Sequence, residues 1–132
     1  MSEENLEVVK RAYAAMERGD IPTVLALCDP EIEFDNSNAV FDPAVFRGHA
    51  GVVDFFSRSA DMWEAQRFEA EEFIALGEDQ VLVSQRIVSV GRDDVETVAR
   101  SANLVTLREG KAVHIKTFQT KADALEAAGL GE

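Results

Sequence analysis

Apolar residues recur every three or four positions at the start of the chain: Leu6, Val9, Tyr13 and Met16 fall on one helical face, and Ala12 and Ala15 widen it. Gly19 ends this helix, being the residue that enters a left-handed conformation at least cost. Asp20 then caps a short second helix with Pro22 in its first turn, where no amide donor is needed. That helix is expected to bury Val24, Leu25 and Cys28. Asp29-Pro30 forces an extended or turn conformation, and Glu31 to Asp35 reads as a strand. Two helices must fold back on a sheet.

Asp35 to Phe46 is rich in turn formers, namely Asn36, Ser37, Asn38, Asp42 and Pro43. Its length and its aromatics, Phe41 and Phe46, point to a functional, lid-like loop. Gly48 and His49 start a third helix, on which Val52, Phe56, Ser59 and Trp63 share one face, so Trp63 is expected to point inward. The remainder reads as four strands: Phe68 to Ala75, Gln80 to Val90, Glu96 to Leu107 and Ala112 to Gln119. Alternation sorts Ser84, Arg86 and Val88, Ser101, Asn103 and Val105, and Ile115, Thr117 and Gln119 into one set. It sorts Val83, Gln85 and Ile87, Ala102 and Leu104, and His114, Lys116 and Phe118 into the other. Both faces carry apolar residues, so both need cover.

At 132 residues, 46% of them hydrophobic, the chain is expected to form one domain over 1–132 with a real core. No apolar run approaches the length of a bilayer span, and the acidic beginning MSEENLEVVK is unlike a secretory signal, so a cytoplasmic protein is expected. A net charge of -12 repels phosphate backbones and excludes nucleic acid as the expected partner. One cysteine, Cys28, allows no internal disulfide, and two scattered histidines, His49 and His114, make no metal site.

The residues Arg11 to Tyr13, Gly19-Asp20, Leu25 to Pro30, Arg47-Gly48 with Gly51-Val52, Asn103 to Lys111 and Ala124 to Gly129 occur in an order and spacing that spans nearly the whole chain. In these it resembles the SnoaL-like branch of the nuclear transport factor 2-like superfamily, to which the ketosteroid isomerases also belong. The resemblance implies an α+β fold: a cone-shaped barrel in which N-terminal helices pack on a curved, mostly antiparallel sheet enclosing a pocket. It places the set with Ser101, Asn103, Thr117 and Arg86 inward. It implies a homodimer through the convex sheet face, where Ile87, Leu104 and Phe118 would sit.

Arg86, facing an apolar cavity, would need an anionic or carbonyl-rich partner to offset its desolvation, or a structural carboxylate of the protein itself. Ser101, Asn103 and Thr117 could bind a ligand oxygen, or hold water and backbone groups. Asp35 becomes a general base where burial raises its pKa, and otherwise caps a turn. Asn36 could orient a ligand beside it, with Phe34 and Trp63 as walls. No cofactor is expected. Against its catalytic relatives the chain departs in specific places. The isomerases' base aligns with Phe34 and their tyrosine with Ala12, while of the epoxide hydrolases' Asp-Arg-Asp set Arg86 alone matches, Val88 and Thr117 replacing the acids. The resemblance thus implies a pocket for an apolar oxygenated molecule of polyketide, terpenoid or steroid type, with cofactor-free proton transfer as the reaction of a catalytic version. An accessory domain filled by its own side chains, or a hydrolase with a carboxylate beside Arg86, stand as alternatives.

Overall fold

The computed structural model describes residues 2–39 and 43–129, so the expectations for Phe41 and Asp42 lie outside the described residues. Helix α1 spans Ser2–Glu17 and α2 spans Ile21–Ala26; strands β1 (Cys28–Asp35) and β2 (Val45–Arg47) follow, then α3 (Gly48–Met62). The rest comprises β3 (Ala65–Leu76), β4 (Gln80–Val90), β5 (Glu96–Arg108), β6 (Lys111–Phe118) and α4 (Lys121–Ala127). The strands form one sheet in the order β2-β1-β6-β5-β4-β3, with β1 parallel to β6 and every other pair antiparallel. The sheet curves into a cone that stays open between β2 and β3. Helix α1 lies over β3 and β4, and α3 touches β1, β2 and β3, so the helices cover the open side.

Local chemistry explains the turns. Gly19, at φ +70°, closes α1 with its own amide on Met16 O at 3.1 Å and the Asp20 amide on Ala15 O at 2.8 Å, a Schellman arrangement. Asp20 caps α2 by accepting from the Thr23 amide at 3.2 Å. That helix ends two residues earlier than its apolar pattern implies: it stops at Ala26, and Cys28 opens β1 instead of lying in α2. Pro30, which has no amide to donate, falls where the pairing of β1 with β6 shifts register between Cys28 and Glu33.

Two apolar layers sandwich the sheet. The concave side packs Val9 and Tyr13 of α1, Val24, Ile32 and Val52 against Val81, Val83 and Val105. The convex side carries Leu76, Leu82, Ala102, Leu104 and Phe118 beneath Ala124 of α4, whose first turn is capped by Thr120 accepting from the Asp123 amide at 3.0 Å. This helix, which strand patterning did not reveal, covers the apolar patch that a partner subunit was expected to cover. Beyond it the convex face is ion-paired, as in Arg86–Glu69 at 3.0 Å and Arg100–Glu71 at 3.1 Å. Strand β5 also outruns β6: Phe118 pairs with Ala102, so Glu96 to Ser101 have β4 alone as a strand neighbour among the described residues.

Candidate functional site

Cross-strand register builds the concave face as a ladder of rungs, because residues opposite one another in a sheet point to the same side. Gln66, Ser89 and Thr97 form a polar rung; Phe68, Ile87 and Ala99 form an apolar one. Ala70, Gln85 and Ser101 come next, followed by Phe73, Val83, Asn103 and Thr117. A bulge between Ala70 and Glu72 reverses which residues of β3 point inward, so Gln66, Phe68 and Ala70 give way to Phe73. Between this ladder and the helices lies a cavity of about 300 Å³. Its apolar wall includes a ring cluster in which Phe55 meets Phe34 edge-on at 4.8 Å between centroids and Phe56 at 5.3 Å.

Five neutral side chains make a continuous hydrogen-bond chain along this wall. Thr117 Oγ1 donates to Asn103 Oδ1 at 2.7 Å, and Asn103 Nδ2 donates to the Tyr13 hydroxyl at 2.9 Å. The Tyr13 hydroxyl donates to Gln85 Oε1 at 2.7 Å, and Gln85 Nε2 donates to Ser101 Oγ at 3.0 Å. Gln85 and Thr117 are buried, at 3% and 5% exposure. A second, shorter chain sits on the first rung: Ser59 Oγ of α3 donates to Gln66 Oε1, and Gln66 Nε2 donates to Ser89 Oγ at 2.9 Å.

The electrostatics of the wall are those of a neutral container. Burial pushes the Tyr13 hydroxyl well above its ordinary value, against a smaller opposing pull from the Asn103 hydrogen bond, and burial pushes the Cys28 thiol up to about 11. Among the described lining residues there is no Asp, Glu, His or Lys; Arg100 is the one cation, and its guanidinium turns to the convex side with that of Arg86, where it donates to Glu71 through Nε at 3.1 Å and Nη2 at 3.4 Å. No group of three or more His, Cys, Asp and Glu among the described residues could hold a metal ion.

Of the residues expected at the site, Phe34, Asn36, Trp63, Ser101, Asn103 and Thr117 line the cavity. Arg86 and Asp35 do not. Ser101 pairs with Gln85, and Arg86 with Arg100 and Glu69, so β4 is offset by one residue from its expected register and Arg86 points to the convex side. There it donates through Nε to Glu69 Oε1 at 3.0 Å, the structural pairing that its alternative reading named. Ile87, expected on the convex side, turns inward by the same offset. Asp35 pairs with Lys116, and its carboxylate accepts from the Ser37 hydroxyl and from the Ser37 amide at 3.0 Å. The Ser37 hydroxyl above all, with Lys116 at 3.8 Å adding to it, holds Asp35 below the usual carboxylate range, the reverse of what a general base requires.

Sequence reasoning missed Tyr13, Gln85, Gln66 and Ser89. Gln85, between Val83 and Ile87, was legible as a polar position and, like Ser89, was hidden by the choice of face; Gln66 was hidden because the strand was expected to begin at Phe68, whereas β3 begins at Ala65. His49, in the first turn of α3, bonds through Nε2 to the Cys28 carbonyl at 2.9 Å.

Comparison with known proteins agrees with this architecture. The family model for the SnoaL-like domain matches residues 9–115. The crystal structure of TerC co-crystallised with polyporic acid superposes with a TM-score of 0.78 at 22% identity, covering 96% of this chain and 98% of that one. Bal32a, from a soil-derived mobile gene cassette, gives a TM-score of 0.82 at 16% identity, covering 96% of each chain. A protein of Xanthomonas campestris pv. campestris, named as a candidate polyketide cyclase, gives 0.75 at 16% identity, covering 96% of this chain and 98% of that one. No curated protein matches the sequence. At these identities the structural likeness is one of fold. With a family model covering most of its length and a helix-covered cone behind it, the chain belongs to the SnoaL-like family of the nuclear transport factor 2-like superfamily.

Proposed function

We propose that this protein binds a small, uncharged, largely apolar molecule bearing oxygen, of polyketide, terpenoid or steroid type, and that it does so without abstracting a proton. The observation that carries this reading is the neutral hydrogen-bond chain set into an apolar cavity of about 300 Å³, at the small end of ligand pockets. Gln85 and Asn103 each keep a second amide N–H beyond the bonds of the chain, and these are donors for a carbonyl or hydroxyl oxygen. Proton transfer needs a group that titrates near neutrality within reach of the substrate. Tyr13 and Cys28 are both pushed the wrong way for that role. A small-molecule ligand is consistent with the co-crystallisation of TerC with polyporic acid. The open volume weighs against an accessory domain filled by its own side chains, and the lack of a lining carboxylate among the described residues weighs against a hydrolase.

A homodimer through the convex face belongs to the same reading, with contact on the part that α4 leaves bare, where Val98 is 44% exposed near Arg86 and Arg100. Light scattering of the purified protein tests it. Action in the cytoplasm belongs to the same reading, which cell fractionation checks. For the pocket itself, the chain's one tryptophan, Trp63, lies in the cavity wall and serves as reporter. A polyketide or steroid ketone is expected to quench it saturably, with at least tenfold weaker binding in Asn103→Leu. Equal binding by both proteins, or no saturable change with any of these ketones, removes the proposed site.

A further inference from the structure

Two polar stations face the cavity, separated by an apolar rung. One is the Gln85 station, joined to Ser101, Tyr13 and Asn103. The other is the Gln66 station, joined to Ser59 and Ser89. Between them stand Phe68 and Ile87, paired across β3 and β4, with no hydrogen-bonding side chain. Gln85 and Ser89 lie on one face of β4, four residues apart, which at the rise of an antiparallel strand is about 13 Å.

Each station is satisfied internally but not saturated. Gln66 Nε2 uses one N–H on Ser89, and its Oε1 accepts from Ser59, leaving the second N–H and the Ser89 hydroxyl proton to offer. Ser89 is 4% exposed, so its hydroxyl has the cavity and not bulk solvent before it. A buried group of this kind costs free energy to desolvate and recovers it only against a partner. A cavity meant for a ligand with a single oxygen would need one such station.

We infer that the cavity recognises both ends of one elongated molecule: a rigid apolar body lying along Phe68 and Ile87, with a hydrogen-bonding oxygen at each end, one taken by Gln85 and Asn103 and the other by Gln66 and Ser89. This deepens the pocket reading above and rests on it. The ligand's oxygens are then roughly 10 Å apart, between the about 13 Å set by hydrogen bonds perpendicular to the strand and the roughly 7 Å set by bonds lying along it. That spacing matches the two ends of a biaryl or a fused polycycle, and exceeds the reach of a monocyclic quinone. The ends are neutral, because no station carries a charge.

Three rigid probes of the right length separate the possibilities: 4,4′-dihydroxybiphenyl, 4-hydroxybiphenyl and biphenyl, titrated against Trp63 fluorescence and by calorimetry. The wild-type protein is expected to bind the diol at least tenfold more tightly than the mono-ol. In Gln66→Leu the ratio is expected to collapse to about one, with mono-ol affinity kept within threefold, which also shows that the variant is folded. Should Gln66→Leu fail to bind the mono-ol, Ser89→Ala supplies the same ratio, expected to fall at least threefold. Equal wild-type affinity for diol and mono-ol overturns the two-ended reading while leaving the pocket standing. An unchanged ratio in the variants overturns the Gln66 station. Binding of none of the three probes overturns both readings.

Discussion

Asn103 and Tyr13 stand 90 positions apart in sequence, and the Asn103 amide donates to the Tyr13 hydroxyl at 2.9 Å across the cavity wall. The bond ties α1 to β5 and fixes both side chains, since the same hydroxyl donates onward to Gln85. Tyr13→Phe keeps the ring, which meets Phe73 edge-on at 5.8 Å, but strands Gln85 Oε1 and an Asn103 amide hydrogen in a buried wall. Leaving such groups unpaired costs about 1–3 kcal/mol. Urea denaturation is expected to show that loss with an unchanged slope; a loss below about 0.5 kcal/mol would mean that the two amides re-pair with each other or with water.

Neighbours on one strand should behave as opposites. Arg86→Ala removes a half-exposed ion pair on the convex face and is expected to leave ligand affinity within twofold and the urea midpoint nearly unchanged. Gln85→Leu, one residue away, is expected to weaken binding of 4,4′-dihydroxybiphenyl at least tenfold. A reversal of the two results would return the sheet to the register in which Arg86 faces inward.

Gly51 sits in the first turn of α3, where alanine would normally favour the helix. A Cβ there would lie 2.9 Å from the backbone carbonyl carbon of Phe46 and 3.2 Å from its Cβ. Phe46 is buried and paired to Phe34, so the clash falls on backbone that cannot easily retreat. Gly51→Ala is therefore expected to destabilise the fold by about 1–3 kcal/mol, a cost of overpacking, measured by thermal or urea unfolding. A gain in stability would show that α3 slides freely over β2.

Stability should fall in alkali for an identifiable reason. Cys28 has its pKa raised by burial from 9.0 to about 11, so between those values the unfolded chain ionises its thiol while the folded chain keeps it neutral. Folding stability is whole below pH 9 and is lost as pH rises through 11, by about 2 kcal/mol. Tyr13, also raised, adds its own loss at higher pH. Unfolding free energies measured from pH 8 to 11 are expected to drop more steeply in the wild type than in Cys28→Ala. Parallel profiles would show that the thiol meets solvent.

Helices α1 and α3 were legible because three- and four-residue spacing survives any error of boundary, and so was the turn at Gly19. The cone itself came from motif order, not from periodicity. Alternation failed on β4, where Ser84, Gln85 and Arg86 are all polar and either phase leaves apolar residues on both faces. The tie is broken by Ser101 and Asn103 opposite, and pairing is not written in one strand. On β3 no single phase would have served, since Glu71 at the bulge changes the parity halfway along. Tyr13 was read as core, which it is; that its hydroxyl lies in a chain with Asn103 and Gln85 depends on three elements meeting. Helix α4 lacked a visible stripe because in its seven residues it buries one alanine fully.

The overhang of β5 beyond β6 has a consequence for the protein in concentrated solution. From Glu96 to Ser101 a run of backbone donors and acceptors has, among the described residues, a strand on one side alone, the kind of template on which stray chains nucleate fibres. Val95 and Val98, exposed at 58% and 44%, would favour that growth. Glu96 and Arg100, on either side of Val98, put charge on the same edge, and Asp93 and Asp94 guard the turn that leads into it. These few charges act as gatekeepers against cross-β assembly, and it is at this edge that neutralising substitutions would turn a dispersed protein into a precipitate.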